Sequence, residues 1–97
     1  MYHVYLLRSL KNTNKSYVGL TIKPLKVRLK EHNDGLSTYT KTDKPWEIIY
    51  FENFYCKLCA DKREQFLKSG FGYKFRQLML KHNKELGKKS SSLKNGD

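Results

Sequence analysis

Carboxylates are scarce in this chain. Nine Asp and Glu stand against 20 Lys and Arg in 97 residues. Seven of the nine fall in residues 1–83, none of them in a D-x-D or E-x-K arrangement. That disfavours a site in which clustered acids hold two metal ions. Cysteines are equally few: Cys56 and Cys59 form one C-x-x-C. One such pair is half of a structural zinc site, and His3, His32 and His82 have no paired spacing to complete it. The flanking "YCKLCAD" does not match a thioredoxin-like active site, so the pair is expected as two small apolar residues opening a helix. No apolar run reaches the ~18 residues of a membrane span, so no membrane is expected as a partner. The opening "MYHVYLLRSL" has neither a basic start nor a small-residue cleavage site. No signal peptide is therefore expected, and the cytoplasm is the expected compartment.

What the chain has is positive charge and aromatic residues. The net charge is +11. Residues 84–97 supply four lysines and two acids, which leaves 16 minus 7, or +9, on residues 1–83. A folded body this basic expects a polyanionic partner, nucleic acid first among them. The competing reading is a solvated surface that only aids solubility. With 38% hydrophobic and 13% aromatic residues, the length suits a single folded domain with a modest core.

The pattern divides into elements. Tyr2–Arg8 has apolar residues on both alternating faces, which suits a central strand. "SLKNTNKS" is a turn, and the strand from Ser16 to Leu20 returns from it to complete a hairpin. Gly19 inside that strand marks a bulge or a close backbone approach. Pro24 fits the first position of a helix over 24–33, closed by Gly35. A polar loop leads to a third strand, Glu47–Tyr55, followed by helices over 57–68 and 71–83. The segment 84–97 is expected as a basic, Ser-rich, disordered tail to a domain of residues 1–83. A hairpin, a crossover helix and a third strand together predict an α+β fold. Its three-stranded antiparallel sheet has order 2-1-3 and helices flanking it.

Leu25 and Leu29 set the buried direction of the first helix, and Arg28 and His32 lie one turn apart on its flank. An arginine placed there can grip a phosphate, and an imidazole can hydrogen-bond or move a proton. Alternatively Arg28 snorkels and His32 is a satisfied half-buried residue. Tyr5 and Tyr17 sit on the two arms of the hairpin, able to face the same side, with Gly19 leaving room beside them. They form either a polar pocket or ordinary cross-strand aromatic packing. In the helix over 57–68, the apolar face falls on Cys59, Ala60, Phe66 and Leu67, with Glu64 at its edge and Arg63 oddly near its middle. Glu64 is a candidate metal ligand or an ion-pair partner for Arg63, Lys68 or Arg28.

In order and spacing, these residues resemble the GIY-YIG nucleases over about residues 2–80. "HVY" (His3–Tyr5) stands at the first tripeptide and "YVG" (Tyr17–Gly19) at the second. "VRLKEHN" supplies Arg28 and His32, and "ADKREQFLKSG" supplies Glu64. "TYTKTDKPWEIIYFE" is similar to the small single-domain branch of the family. The chain also resembles the N-terminal nuclease domain of the bacterial excision-repair endonuclease. The resemblance implies a metal-dependent endonuclease hydrolysing phosphodiesters in DNA rather than RNA, in repair or recombination, working as a monomer. It implies Tyr5, Tyr17, Arg28, His32 and Glu64 as the catalytic set. Glu64 would hold one Mg²⁺ or Mn²⁺, Arg28 would neutralise phosphate charge, and Tyr5, assisted by Tyr17 or His32, would take a proton from water. The same fold with little or no turnover, acting as a nucleic-acid-binding module, is the alternative it leaves open.

Overall fold

The computed structural model describes residues 1–88. In chain order they form β1 (Tyr2–Ser9), β2 (Ser16–Thr21), α1 (Leu25–Asn33), β3 (Trp46–Phe54), α2 (Lys57–Lys68) and α3 (Gly70–Lys88). The sheet is antiparallel with order β2-β1-β3, as the hairpin and crossover predict. β3 runs from Trp46, one residue ahead of the expected span. α3 continues past the expected end at residue 83 into the segment expected as a tail. The remainder of that segment, 89–97, lies outside the described residues.

The central strand explains the layering. Val4 and Leu6 point to one face and join Val18, Ala60 and Leu67 under α2 and α3. Tyr5 and Leu7 point to the other and join Trp46, with Leu25 and Leu29 of α1 packed on them. All four residues of β1 are at most 2% exposed. Burying a side chain of this size contributes ~1.5–3 kcal/mol, so β1 anchors two cores at once. A bulge lies on the β1–β3 side, between Leu6 and Leu7, and not at Gly19.

Three local expectations are corrected. Pro24 is the N-cap of α1 and not its first helical residue. Its ψ of 139° is extended, while its carbonyl accepts from the Val27 and Arg28 amides. Cys56 and Cys59 are both exposed, and Phe66 is 39% exposed, so the buried stripe of α2 narrows to Ala60 and Leu67. The charge of Arg63 is accounted for by Glu52 on β3, which takes two hydrogen bonds from the guanidinium at 2.9 Å. The same guanidinium lies over the rings of Phe66 and Phe75, where cation–π attraction adds to the pair.

The loop between α1 and β3 is clipped rather than packed. Gly35 ends α1 with φ of +81°, a conformation glycine adopts without penalty. Asn33 then receives the Trp46 amide and donates to the Trp46 carbonyl. The indole N–H of Trp46 donates to the Thr40 carbonyl at 2.7 Å. These bonds hold Thr40, which is fully buried, against the α1 face of the sheet.

Candidate active site

Register places the hairpin residues. Tyr5 pairs with Gly19, and Leu7 with Tyr17, so both tyrosines and the glycine share the α1 face. A Cβ built at Gly19 would lie 2.4 Å from Cζ and from the hydroxyl of Tyr5. The tyrosine ring therefore occupies the space that any other residue at 19 would fill. This is the close approach the glycine signalled.

α1 brings its two flank residues onto that ring. The Arg28 Nε–H donates to the Tyr5 hydroxyl at 3.2 Å. The Tyr5 oxygen lies 2.8 Å from His32 Nε2, and His32 Nδ1 lies 2.8 Å from Thr40 Oγ1. With Arg28 donating to it, Tyr5 keeps one proton to give. The assignment that uses it has Tyr5 donating to His32 Nε2 and His32 Nδ1–H donating to Thr40. The reverse tautomer leaves the phenol proton without a partner among the described residues. His32 is fully buried, and the ring of Tyr17 meets it edge-on at 5.3 Å.

The electrostatics follow from this enclosure. Burial pushes the Tyr5 phenol up to about 12, against the pull of the Arg28 guanidinium, and Tyr17 and the Glu64 carboxylate push it further upward. Burial, and then the Arg28 charge, bring His32 down to about 4. At neutral pH the pair is thus a protonated phenol facing a neutral imidazole. Burial works against the charge on Arg28, but its bonds to Glu31 and Tyr5 outweigh this and raise its pKa. Glu31 takes the Arg28 Nη1 at 2.9 Å and a hydrogen bond from Lys23.

Glu64 arrives from elsewhere. It lies on the α2 stripe with Ala60 and Leu67, the residues that pack on the opposite face of the sheet. Four of the five expected site residues therefore share one face, and the fifth approaches from the other. It is near enough for its charge to act on Tyr5. Its partner is Lys68 at 3.2 Å, whose ammonium lies 5.9 Å from the centre of the Tyr17 ring. A cleft of about 230 Å³ opens here, lined by Ser16, Tyr17, Val18, Lys68 and Arg76. Glu64 is thus at once within electrostatic reach of Tyr5 and in one of the ion pairs expected for it.

The donor set bears on a cation. Among the described residues, no group of three or more His, Cys, Asp and Glu gathers as a cage. Mg²⁺ does not require one, since it is commonly held by one or two carboxylates and keeps several waters. Glu64, 22% exposed and paired only with a half-exposed lysine, fits that mode. All seven acids of residues 1–83 are in ion pairs, so among those residues no other carboxylate stands unpaired beside it.

Thr40, Glu31 and Lys68 were not among the expected site residues. Thr40 is the middle residue of the Tyr-Thr-Lys quoted above, and Glu31 follows Arg28 by one helical turn. Lys68 stands four after Glu64 and was named only as an ion-pair partner.

Comparison with protein families matches residues 1–77 to the GIY-YIG catalytic domain. No curated protein matches the chain significantly.

Proposed function

The chain belongs to the GIY-YIG family of nucleases, and on that premise we propose that it is an endonuclease hydrolysing DNA phosphodiesters with one divalent cation held by Glu64. The observation that carries this reading is the chain of hydrogen bonds from Arg28 through Tyr5 and His32 to Thr40. Alone, a phenol near pKa 12 is a poor base at neutral pH. Coupled to a neutral imidazole, it need never become a free phenolate. As Tyr5 takes a proton from the attacking water, it passes its own to His32 Nε2. The negative charge building on the phosphate offsets the burial that holds the resting imidazole at about 4. Thr40 holds the imidazole in the tautomer that can receive it. Arg28 sets the phenol and turns its remaining N–H groups toward the phosphate charge.

Members of the family generally use a divalent metal. The carboxylate of Glu64 would hold it, and Lys68, now paired with that carboxylate, would be left free for phosphate charge. Such an ion would supply charge stabilisation at the leaving oxygen. The Tyr17 ring walls the imidazole from solvent and presents its hydroxyl to the substrate. The family implies a nucleic-acid substrate, and the +9 body suits one. DNA over RNA, a part in repair or recombination, the likeness to the excision-repair nuclease domain and a cytoplasmic monomer belong to this proposal.

One observation favours a second reading, a binding module with little turnover. Both catalytic charges are engaged by neighbours, Arg28 by Glu31 and Glu64 by Lys68. A nicking assay on branched and single-stranded oligonucleotides separates the two. Mg²⁺-dependent nicking that Glu64→Ala abolishes supports the enzyme. Salt-sensitive binding with no cleavage at any Mg²⁺ concentration supports the module.

A further inference from the structure

The C-x-x-C at the head of α2 plays no part in the chemistry above and none in the core. Both thiols are free and exposed. Cys56 is the N-cap of α2, in extended conformation with φ of −93° and ψ of 123°. That backbone turns its sulfur back over the helix end, where it accepts the Cys59 amide at 3.4 Å. Cys59 is the third residue of the helix, so the two side chains stand on the same side of its first turn. Lys62 adds positive charge beside Cys59, while Lys57 is paired with Asp61, whose carboxylate acts against the thiolate at Cys56. Two thiols in mutual reach, open to solvent and at the positive end of a helix, are placed to react as a pair.

We propose that Cys56 and Cys59 form a dithiol–disulfide couple, with Cys56 as the attacking thiol and Cys59 as the resolving one. The oxidant is a low-molecular-weight disulfide. The Cys56 sulfur attacks one sulfur of that disulfide, breaking its S–S bond and releasing one small thiol. Cys59 then attacks the Cys56 sulfur of the mixed disulfide, closes the Cys56–Cys59 bond and releases the second small thiol. Each cysteine loses one electron and one proton, and the small disulfide gains two of each. The division of roles follows from the geometry. The Cys59 amide, and then its thiol, hold Cys56 below the ordinary cysteine range, while the hydrogen bond to Cys56 holds Cys59 above it. The closed bridge spans N-cap to third helical residue, the span already bridged by the sulfur–amide contact. α2 therefore keeps its course on oxidation.

The test uses the whole chain and needs no nuclease activity, so it stands or falls apart from the proposed function. The protein is treated with oxidised glutathione and weighed intact by mass spectrometry. The wild type should end two hydrogens lighter with no adduct. Cys59→Ser should stop at a single glutathione adduct on Cys56. Cys56→Ser, which keeps a good helix cap, should react at Cys59 about tenfold more slowly than Cys59→Ser does at Cys56. A wild type that carries two separate adducts, or equal rates for the two single variants, overturns the proposal.

Discussion

The two halves of the candidate active site are built differently. On the α1 face, Tyr5, His32 and Thr40 are buried, mutually bonded and backed by a glycine with no room to spare. On the α2 side, Glu64 stands at a rim with a single lysine partner four residues along its own helix. An i, i+4 pair of this exposure is worth little, ~0.3–0.5 kcal/mol, and yields readily to a stronger ligand. The comparison teaches where preorganisation sits. On the proposed mechanism, the half that would handle the proton is fixed before substrate arrives, and the half that would hold the cation is left open to be completed.

The contrast is broken most severely at Glu64. Glu64→Gln removes the charge and keeps the shape. It should lower the cleavage rate by ~10²-fold or more while leaving the melting temperature within a degree or two. A nicking assay beside a melting curve checks both. A large fall in stability would place Glu64 with the structural half instead.

Gly19→Ala attacks the other half through its packing. The new methyl overlaps the end of the Tyr5 ring, so the ring must move off Arg28 and His32. The expected cost is ~1–3 kcal/mol of stability together with most of the activity. Guanidinium denaturation of Gly19→Ala with and without Tyr5→Phe measures how far the two positions are coupled.

Thr40→Val keeps the volume of Thr40 but strands the His32 Nδ1–H. Stability should drop by ~1–3 kcal/mol, and the pH dependence of cleavage should change because the tautomer is no longer held. Unchanged stability would mean that Thr40 is not the acceptor.

The acid limb of stability is a gentler probe. His32 falls from 6.5 to about 4 on folding. Between those values the unfolded chain binds a proton that the folded chain refuses. Stability is therefore complete above about 6.5 and declines as pH drops toward 4. Melting curves across this window should show a fall of several degrees. His32→Gln should flatten that limb. The smallest effect belongs to Lys68→Ala, which should lower the Mg²⁺ concentration needed for half-maximal cleavage about twofold, with no change in melting.

Much of the proton-handling half was legible because it rests on short periods. Alternation put Tyr17 and Gly19 on one face and left Tyr5 able to share it, which the hairpin register then decides. A four-residue step put Arg28 above His32. The sheet order followed from a first strand apolar on both sides. Thr40 was not legible, since its position depends on the hydrogen bonds of Trp46 and Asn33 across an aperiodic loop. Nor was the approach of Glu64 from the far face, because helical periodicity identifies a stripe without saying which side of the sheet it covers. The cysteines misled for a related reason: their side chains are small enough to belong to either side of a helix end, and the N-cap geometry turns them outward.

The contact between Tyr5 and Gly19 has a consequence for descent. Because the ring fills the volume of any side chain at 19, the two positions drift as one. A lineage that keeps its tyrosine is barred from every substitution at the glycine. Once the ring is replaced by a small side chain, a space opens beside position 19. Among descendants of this chain, the residue at position 19 therefore records whether selection still holds an aromatic ring at position 5, long before any assay is run.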